Sequence, residues 1–223
     1  CDAVENIADI GLLSTASLPG GSGRATEGDT GAGRVLLEGH FLFDIVDADG
    51  DFGKYRLMVL PDDAVIESAL KAKLDAYLAK GGKLFLCGKS GLNEDRSAFL
   101  FDVGAKTSGV SEFAPDYILP RDGIRADFVK TPNVAYLPSQ RVQVTTGESL
   151  GQVFDPYFNR TYRHFCSHRH TPNRPEPSGF DCGVMKGNIL YLAHPVFTLY
   201  HALGAVTIRD YIVKSIRLLL NGD

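Results

Sequence analysis

The sequence lacks several features that would place it in a specialised class. Four cysteines among 223 residues are too few and too scattered for the disulfide framework of a small secreted domain. No apolar run approaches the length that crosses a bilayer. The formal net charge of −4 argues against a general nucleic-acid binder. We therefore expect a soluble globular chain with no membrane or nucleic-acid partner, and the sequence leaves its compartment open.

Cofactor motifs are also missing. The segment 18–33 is rich in Gly, Ser and Thr, but it lacks the Gly-Lys-Ser/Thr ending of a P-loop, and its glycines do not match the dinucleotide spacing. This composition favours a surface loop, followed by a helix over 33–41. We expect no cofactor.

The only methionines are Met58 and Met185, and the numbering begins at Cys1. We therefore expect a piece of a longer protein or a processed form, in which a catalytic domain can lie outside this sequence. The cysteine pattern also leaves a Cys166–Cys182 disulfide open.

The stretch 55–88 predicts a parallel strand–helix–strand unit. A buried strand over 56–60 ends at Pro61, and apolar residues then recur at helical spacing until Gly81-Gly82. A second buried strand over 83–87 follows. In open sheets of such units, functional residues lie beyond the carboxyl ends of the strands. Here the first of those ends carries Asp62 and Asp63, which we interpret as caps of the following helix.

Further elements complete a single α/β domain over 1–223 with a mainly parallel sheet and an irregular, β-rich insertion in its second half. An irregular arm is expected over about 155–177. The other predicted elements are strands over 7–14, 44–46, 117–119 and 141–145, a short helix over 97–103, a β-hairpin over 182–193 and a closing helix over 205–220.

The arm contains chemistry that permits three interpretations. His164, Cys166, His168 and His170 are zinc-competent ligands of the same parity, although side chains on one strand converge poorly on one ion. Alternatively, the arm packs against a neighbouring subunit. In the third interpretation it borders a carbohydrate pocket, because aromatic faces stack on sugars and amide or guanidinium groups bind hydroxyls. The residues for that role are Tyr157, Phe158, Asn159, Arg160, Tyr162 and His168.

The layout at Leu60-Pro61, Gly81-Gly82, Cys87-Gly88 and His194-Pro195 resembles the class I glutamine amidotransferase-like fold. This resemblance implies a flavodoxin-like three-layer sandwich, with Cys87 and His194 near the nucleophile and base positions. Val196 stands where the family has its orienting glutamate, so we expect no carboxylate against the His194 ring. The expected outcome is a degenerate site, with Cys87 as a small buried hydrophobe.

The order of parts around "Asp-Phe-Gly-Lys-Tyr" at 51–55, the Leu-Met-Val-Leu-Pro strand and the Lys-Leu-Phe-Leu-Cys strand resembles the beta-galactosidase trimerisation domain. The motifs at 155–161 and 164–172 resemble the tails of bacterial glycosidases grouped with alpha-L-fucosidase- and alpha-amylase-like proteins. These resemblances imply a non-catalytic accessory or oligomerisation domain behind a catalytic domain, with a homo-oligomer and carbohydrate as expected partners. The alternatives are a hydrolase using Cys87 and His194 and a zinc- or sugar-binding module around 164–170.

Overall fold

The computed structural model describes residues 6–221. Its strands are β1 Ile10–Leu13, β2 Phe43–Val46, β3 Leu57–Val59, β4 Lys83–Cys87, β5 Ala105–Val110, β6 Asp116–Pro120, β7 Asn133–Ala135, β8 Gln140–Val144, β9 Glu148–Ser149, β10 Gly151–Phe154, β11 Gly183–Lys186 and β12 Ile189–Leu192. Its helices are α1 Glu27–Glu38, α2 Ser68–Ala79, α3 Val196–Leu203 and α4 Val206–Asn221. Within the described part of the chain, no helix is both long and apolar enough to cross a membrane.

A seven-stranded sheet in the order β2-β1-β3-β4-β12-β11-β9 forms the centre of the molecule. The first five strands are mutually parallel. Strand β11 pairs antiparallel with β12, and β9 pairs antiparallel with β11 at the end of the sheet. The predicted α/β class with a mainly parallel sheet is therefore confirmed. The predicted hairpin is also confirmed, with Met185 opposite Leu190 and a turn at Gly187, whose φ is +53°.

Helices cover both faces of this sheet because the parallel strands are apolar on both sides. On one face α1, α3 and α4 enclose a core that includes Val35, Phe197 and Ile212. On the other face α2 packs Leu74 and Tyr77 against the sheet. Each fully buried apolar side chain of this kind contributes roughly 1.5–3 kcal/mol to folding.

The predictions for the first and third helices need correction. Helix α1 begins at Glu27 rather than at 33, because Thr26 and Asp29 form a capping box that starts it within the Gly-rich segment. Gly31 is required there, since a Cβ would lie 2.0 Å from the carbonyl oxygen of Phe197 on α3. The helix predicted over 97–103 is wrong: this segment is irregular and is held by an antiparallel bridge between Leu92 and Phe99.

The insertion between β4 and β11 forms two small antiparallel sheets, with β10-β6-β7 in one and β5-β8 in the other. The strands predicted over 117–119 and 141–145 lie in β6 and β8. Ile118 of β6 packs in the hydrophobic core. Asp116, the first residue of the same strand, is also fully buried, although its side chain is charged. The insertion therefore places a carboxylate inside the domain.

Candidate functional site

The carboxyl ends of β3, β4 and β12 bring together the residues that sequence reasoning considered for catalysis. Cys87 is the last residue of β4, and Gly88 turns the chain with a φ of +60°. A Cβ at Gly88 would lie 3.1 Å from the carbonyl oxygen of Asp62 and 3.2 Å from the Cα of Pro195. Glycine is favoured at this bend, because a side chain would combine a left-handed backbone angle with close contacts to two backbone atoms.

The Cys87 thiol is a buried hydrogen-bond donor. Its Sγ lies 3.0 Å from Oδ1 of Asp62, and the residue has no exposed surface. Burial raises the pKa of Cys87 well above its usual value, and the neighbouring Asp62 raises it further. A nucleophilic cysteine needs the opposite environment, since the thiolate is the reactive form.

Asp62 has a structural role different from the predicted one. Its carboxylate accepts the backbone N–H groups of Phe197 at 3.3 Å and Thr198 at 2.6 Å, so it caps α3. The prediction that Asp62 or Asp63 caps the following helix is wrong, because α2 begins at Ser68 and its N-cap residue makes no side-chain cap bond. Burial raises the pKa of Asp62, although its hydrogen bonds act against that rise.

His194, just beyond β12, is paired with a carboxylate, contrary to the expectation drawn from Val196. Nε2 of His194 lies 2.5 Å from Oδ1 of Asp116, and both side chains are buried. The other oxygen of Asp116 accepts the N–H and hydroxyl of Ser139 at 3.2 and 2.7 Å. Burial acts to raise the pKa of Asp116, but the charge and hydrogen bond of His194, with those of Ser139, outweigh it and leave this pKa below its usual value.

The carboxylate of Asp116 was not found from the sequence because 78 residues separate it from His194. The pair resembles the orienting half of a triad, yet it is not joined to the thiol. Cys87 donates to Asp62, and Nδ1 of His194 has no hydrogen-bond partner among the described residues. His194, Asp116 and Ser139 therefore hydrogen-bond within one cluster, while the protonated thiol of Cys87 bonds to Asp62. The site lacks the hydrogen bond between base and nucleophile that covalent catalysis requires.

The arm is a loop with a fixed neck. Pro156 and Asn173 form a bridge, and the N–H of Arg174 donates to the carbonyl of Asp155 at 2.8 Å. The guanidinium of Arg141 binds the Asp155 carboxylate at 2.6 Å with both side chains mostly buried. Because its two ends are held together, the arm is an Ω-type loop whose tip is anchored to the domain at this neck.

The residues proposed for a carbohydrate edge divide into two groups. The amide of Asn159 is used internally, because it donates to the carbonyl of Glu112 at 2.7 Å and accepts from the N–H of Ala114 at 3.2 Å. Likewise Phe158 stacks on His164 at 3.7 Å. The exposed members are Tyr157, Asn159, Arg160, Tyr162 and His168, and Tyr162 is 81% exposed. The guanidinium of Arg160 also donates to the carbonyl of Arg169 at 3.1 Å. Their carbohydrate role stays a prediction.

The zinc-competent residues do not converge. The thiol of Cys166 donates to the carbonyls of His168 and His170, and the His170 ring contacts Tyr136 edge-on at 4.8 Å. Among residues 6–221, no group of three or more His, Cys, Asp or Glu is arranged to hold a metal ion. Burial, followed by the charges of Arg169 and Arg160, lowers the pKa of His170.

The disulfide left open by the sequence does not form, since Cys166 and Cys182 are both free. Cys182 is fully buried, its thiol lying 3.4 Å from the hydroxyl of Tyr211, and burial raises its pKa to about 12. Cys166 and Cys182 are therefore two free thiols with no covalent link between them.

No protein-family model matches the sequence. Among solved structures, the chain is similar to alpha-L-fucosidase isoenzyme 2 from Paenibacillus thiaminolyticus, with 36% identity and a TM-score of 0.89 over 96% of this chain and 33% of that one. It shares its fold with a beta-galactosidase from Rahnella sp. R3 (TM-score 0.59, 11% identity, 94% of this chain and 31% of that one). It also shares its fold with the exo-beta-1,4-mannosidase Op5Man5 from Opitutaceae bacterium strain TAV5 (TM-score 0.60, 11% identity, 98% of this chain and 37% of that one). The chain thus spans about one third of the length of each of these three solved proteins. It also shares its fold with a ThuA-like protein from Bacteroides uniformis (TM-score 0.60, 12% identity), of which it covers 90%.

Proposed function

We propose that this chain is a non-catalytic accessory domain of a glycoside hydrolase whose catalytic domain lies elsewhere in a longer polypeptide. The observation that carries the proposal is the 36% identity with a fucosidase chain over nearly the whole of this chain but only a third of the other. A domain that matches only a minor part of a fucosidase chain fits an assembly or positioning role.

The strand order supports a flavodoxin-like assignment within the amidotransferase-like group. The parallel part runs β2-β1-β3-β4-β12, which is the 2-1-3-4-5 order of flavodoxin-like sheets. Such sheets place their sites at the carboxyl ends of the strands, where this chain has Cys87 bonded to Asp62. A thiol hydrolase is the weaker candidate, because that thiol is buried and its pKa is raised.

We assign the arm to the border of a carbohydrate pocket in the assembled enzyme. Over 155–177 the arm carries four arginines, three histidines and two acidic residues, in a chain whose formal net charge is −4. One of the two acidic residues, Asp155, is paired with Arg141. Glycosidase pockets hold paired carboxylates, so a basic, aromatic loop complements such a pocket electrostatically. Exposed Tyr157 and Tyr162 supply faces that can stack on sugar rings.

Assays of two proteins test this proposal. This chain and the polypeptide encoded by its whole open reading frame are compared on nitrophenyl alpha-L-fucoside and beta-D-galactoside. We expect turnover by the longer polypeptide and none by this chain. Hydrolysis by this chain alone, or the absence of a further domain in the reading frame, would refute the accessory role.

A further inference from the structure

Two arginines from opposite limbs of the arm are joined by a hydrogen bond. Arg160 lies on the limb that leaves the neck and Arg169 on the limb that returns to it, and both residues are exposed. Nη1 of Arg160 donates to the backbone carbonyl of Arg169 at 3.1 Å. The bridge between Pro156 and Asn173 closes the neck of the same loop. The closed loop therefore brings together two cationic residues from its two limbs.

His170 completes this group. Burial lowers the pKa of His170, and the charges of Arg169 and Arg160 lower it further. Both guanidinium groups therefore lie near enough to act on this ring, which contacts Tyr136 edge-on at 4.8 Å. Arg160, Arg169 and His170 together form the arm cation cluster.

No ion pair neutralises the arm cation cluster within residues 6–221. Neither Arg160 nor Arg169 pairs with a carboxylate there, whereas Lys89 on another loop pairs with Asp63 at 2.8 Å. Like charges held close together repel each other, so an anion bound between them lowers the energy of the cluster. Guanidinium groups bind carboxylate and phosphate-like oxyanions through paired N–H donors.

The rest of the arm places further cations beside exposed aromatic faces. The guanidinium of Arg163 lies 5.2 Å from the centroid of the Tyr162 ring, and that of Arg174 donates to the carbonyl of Tyr157 at 3.5 Å. Both tyrosines are exposed. A sugar ring stacks on an aromatic face, whereas a charged substituent of that ring is bound by guanidinium groups. The arm offers both kinds of contact.

We propose that the arm cation cluster binds the sulfate or carboxylate substituent of an anionic saccharide. This inference rests on the proposed function, which supplies the saccharide, and it adds the substrate class. A glycosidase pocket holds paired carboxylates, which repel an anionic substrate. Cations at the border of the pocket offset that repulsion and select for the charged substituent.

NMR titration of this chain tests the site, because the Nε–H resonances of its arginines report directly on guanidinium contacts. The probes are galactose 6-sulfate, galacturonate, neutral galactose and inorganic sulfate. We expect the Arg160 and Arg169 resonances to shift saturably with an anionic sugar. Its dissociation constant should be about two- to tenfold below that of inorganic sulfate, because the ring adds a stacking contact. Neutral galactose should bind at least about tenfold more weakly than the anionic sugar.

The variants locate the binding. The side chain of Arg169 makes no hydrogen bond within the described chain, so Arg169→Gln leaves the loop contacts intact. It should weaken binding of the anionic sugar by about tenfold or more, the value of one charge-assisted hydrogen bond. Arg160→Gln should have the same effect. The matched control is Arg24→Gln, which makes the same change of net charge at an exposed arginine outside the arm and should change the affinity by less than about twofold.

The outcomes separate this inference from the proposed function. Binding of only one of the two anionic sugars supports the site and identifies the substituent, whereas saturable binding of neither refutes the site and leaves the accessory role standing. Equal weakening by Arg24→Gln and Arg169→Gln means diffuse attraction to a basic surface and also refutes it. Inorganic sulfate that binds as tightly as the sugars refutes the saccharide assignment. A whole polypeptide that hydrolyses no glycoside refutes the proposed function, while the measured affinity of this chain for an anionic sugar would stand.

Discussion

Removing the Asp116 carboxylate should destabilise the domain strongly. Asp116→Ala leaves Nε2 of His194 and both donors of Ser139 without their shared acceptor, in a site with no solvent exposure of Asp116. Leaving a buried polar group without its hydrogen-bond partner costs about 1–3 kcal/mol, and Asp116→Ala does so at both His194 and Ser139. That loss is a large part of the roughly 5–15 kcal/mol by which ordinary domains are stable.

The assay is urea unfolding of the wild type and Asp116→Ala at neutral pH, followed by circular dichroism. The control is Asp127→Ala, because Asp127 also pairs with a cation, Lys214, but its side chain is 96% exposed; little change is expected there. A loss below about 1 kcal/mol for Asp116→Ala would refute the reasoning, since it would fall in the range of exposed ion pairs.

The pH dependence of the same variant checks the cause. The pKa of Asp116 is lowered in the folded state, so its contribution is fully present above the unfolded value of about 3.9 and is lost as the pH falls through the folded value. The difference between wild type and variant should therefore be largest near neutral pH and shrink in acid. A difference that grew on acidification would contradict the assignment.

Two further predictions concern the α3 cap and the arm. Asp62→Ala should lower the free energy of unfolding by about 1–3 kcal/mol, because it removes the acceptor of the Phe197 and Thr198 N–H groups and of the Cys87 thiol. Chemical denaturation measures this loss, and an unchanged midpoint would contradict the prediction. In the whole polypeptide, Tyr162→Ala should raise KM for a glycoside roughly two- to tenfold if the ring stacks on sugar, a contact of about 0.5–1.5 kcal/mol. Phe128→Ala, which changes an exposed aromatic outside the arm, is its control, and equal KM values in all three proteins would argue against the carbohydrate edge.

Sequence reasoning found the elements whose signals are local. The unit from β3 to β4 and the closing helix α4 have strong apolar periodicity, and the β11–β12 hairpin has its turn glycine. Helix α3 was missed because it is short and begins directly after Pro195, with its N-terminus capped by Asp62 from a distant loop. That cap bridges more than a hundred residues, so no local pattern reveals it.

The site was harder to predict than the fold for the same physical reason. The position of His194 after β12 could be anticipated, but its carboxylate partner comes from β6 in the insertion, whose path depends on tertiary packing. The burial of Cys87 agrees with its apolar strand, whereas its bond to Asp62 depends on how the β3 and β4 ends meet. The spacing of residues along the sequence cannot predict a contact between side chains that come from separate segments.

The central claim, that the buried Cys87 thiol is not a working nucleophile, is tested most directly by the rate at which iodoacetamide labels Cys87, Cys166 and Cys182 of the folded chain near neutral pH. We predict that Cys87 and Cys182 react only after unfolding, while the partly exposed Cys166 reacts in the native state. Rapid native labelling of Cys87, at a rate equal to or above that of Cys166, would contradict this account.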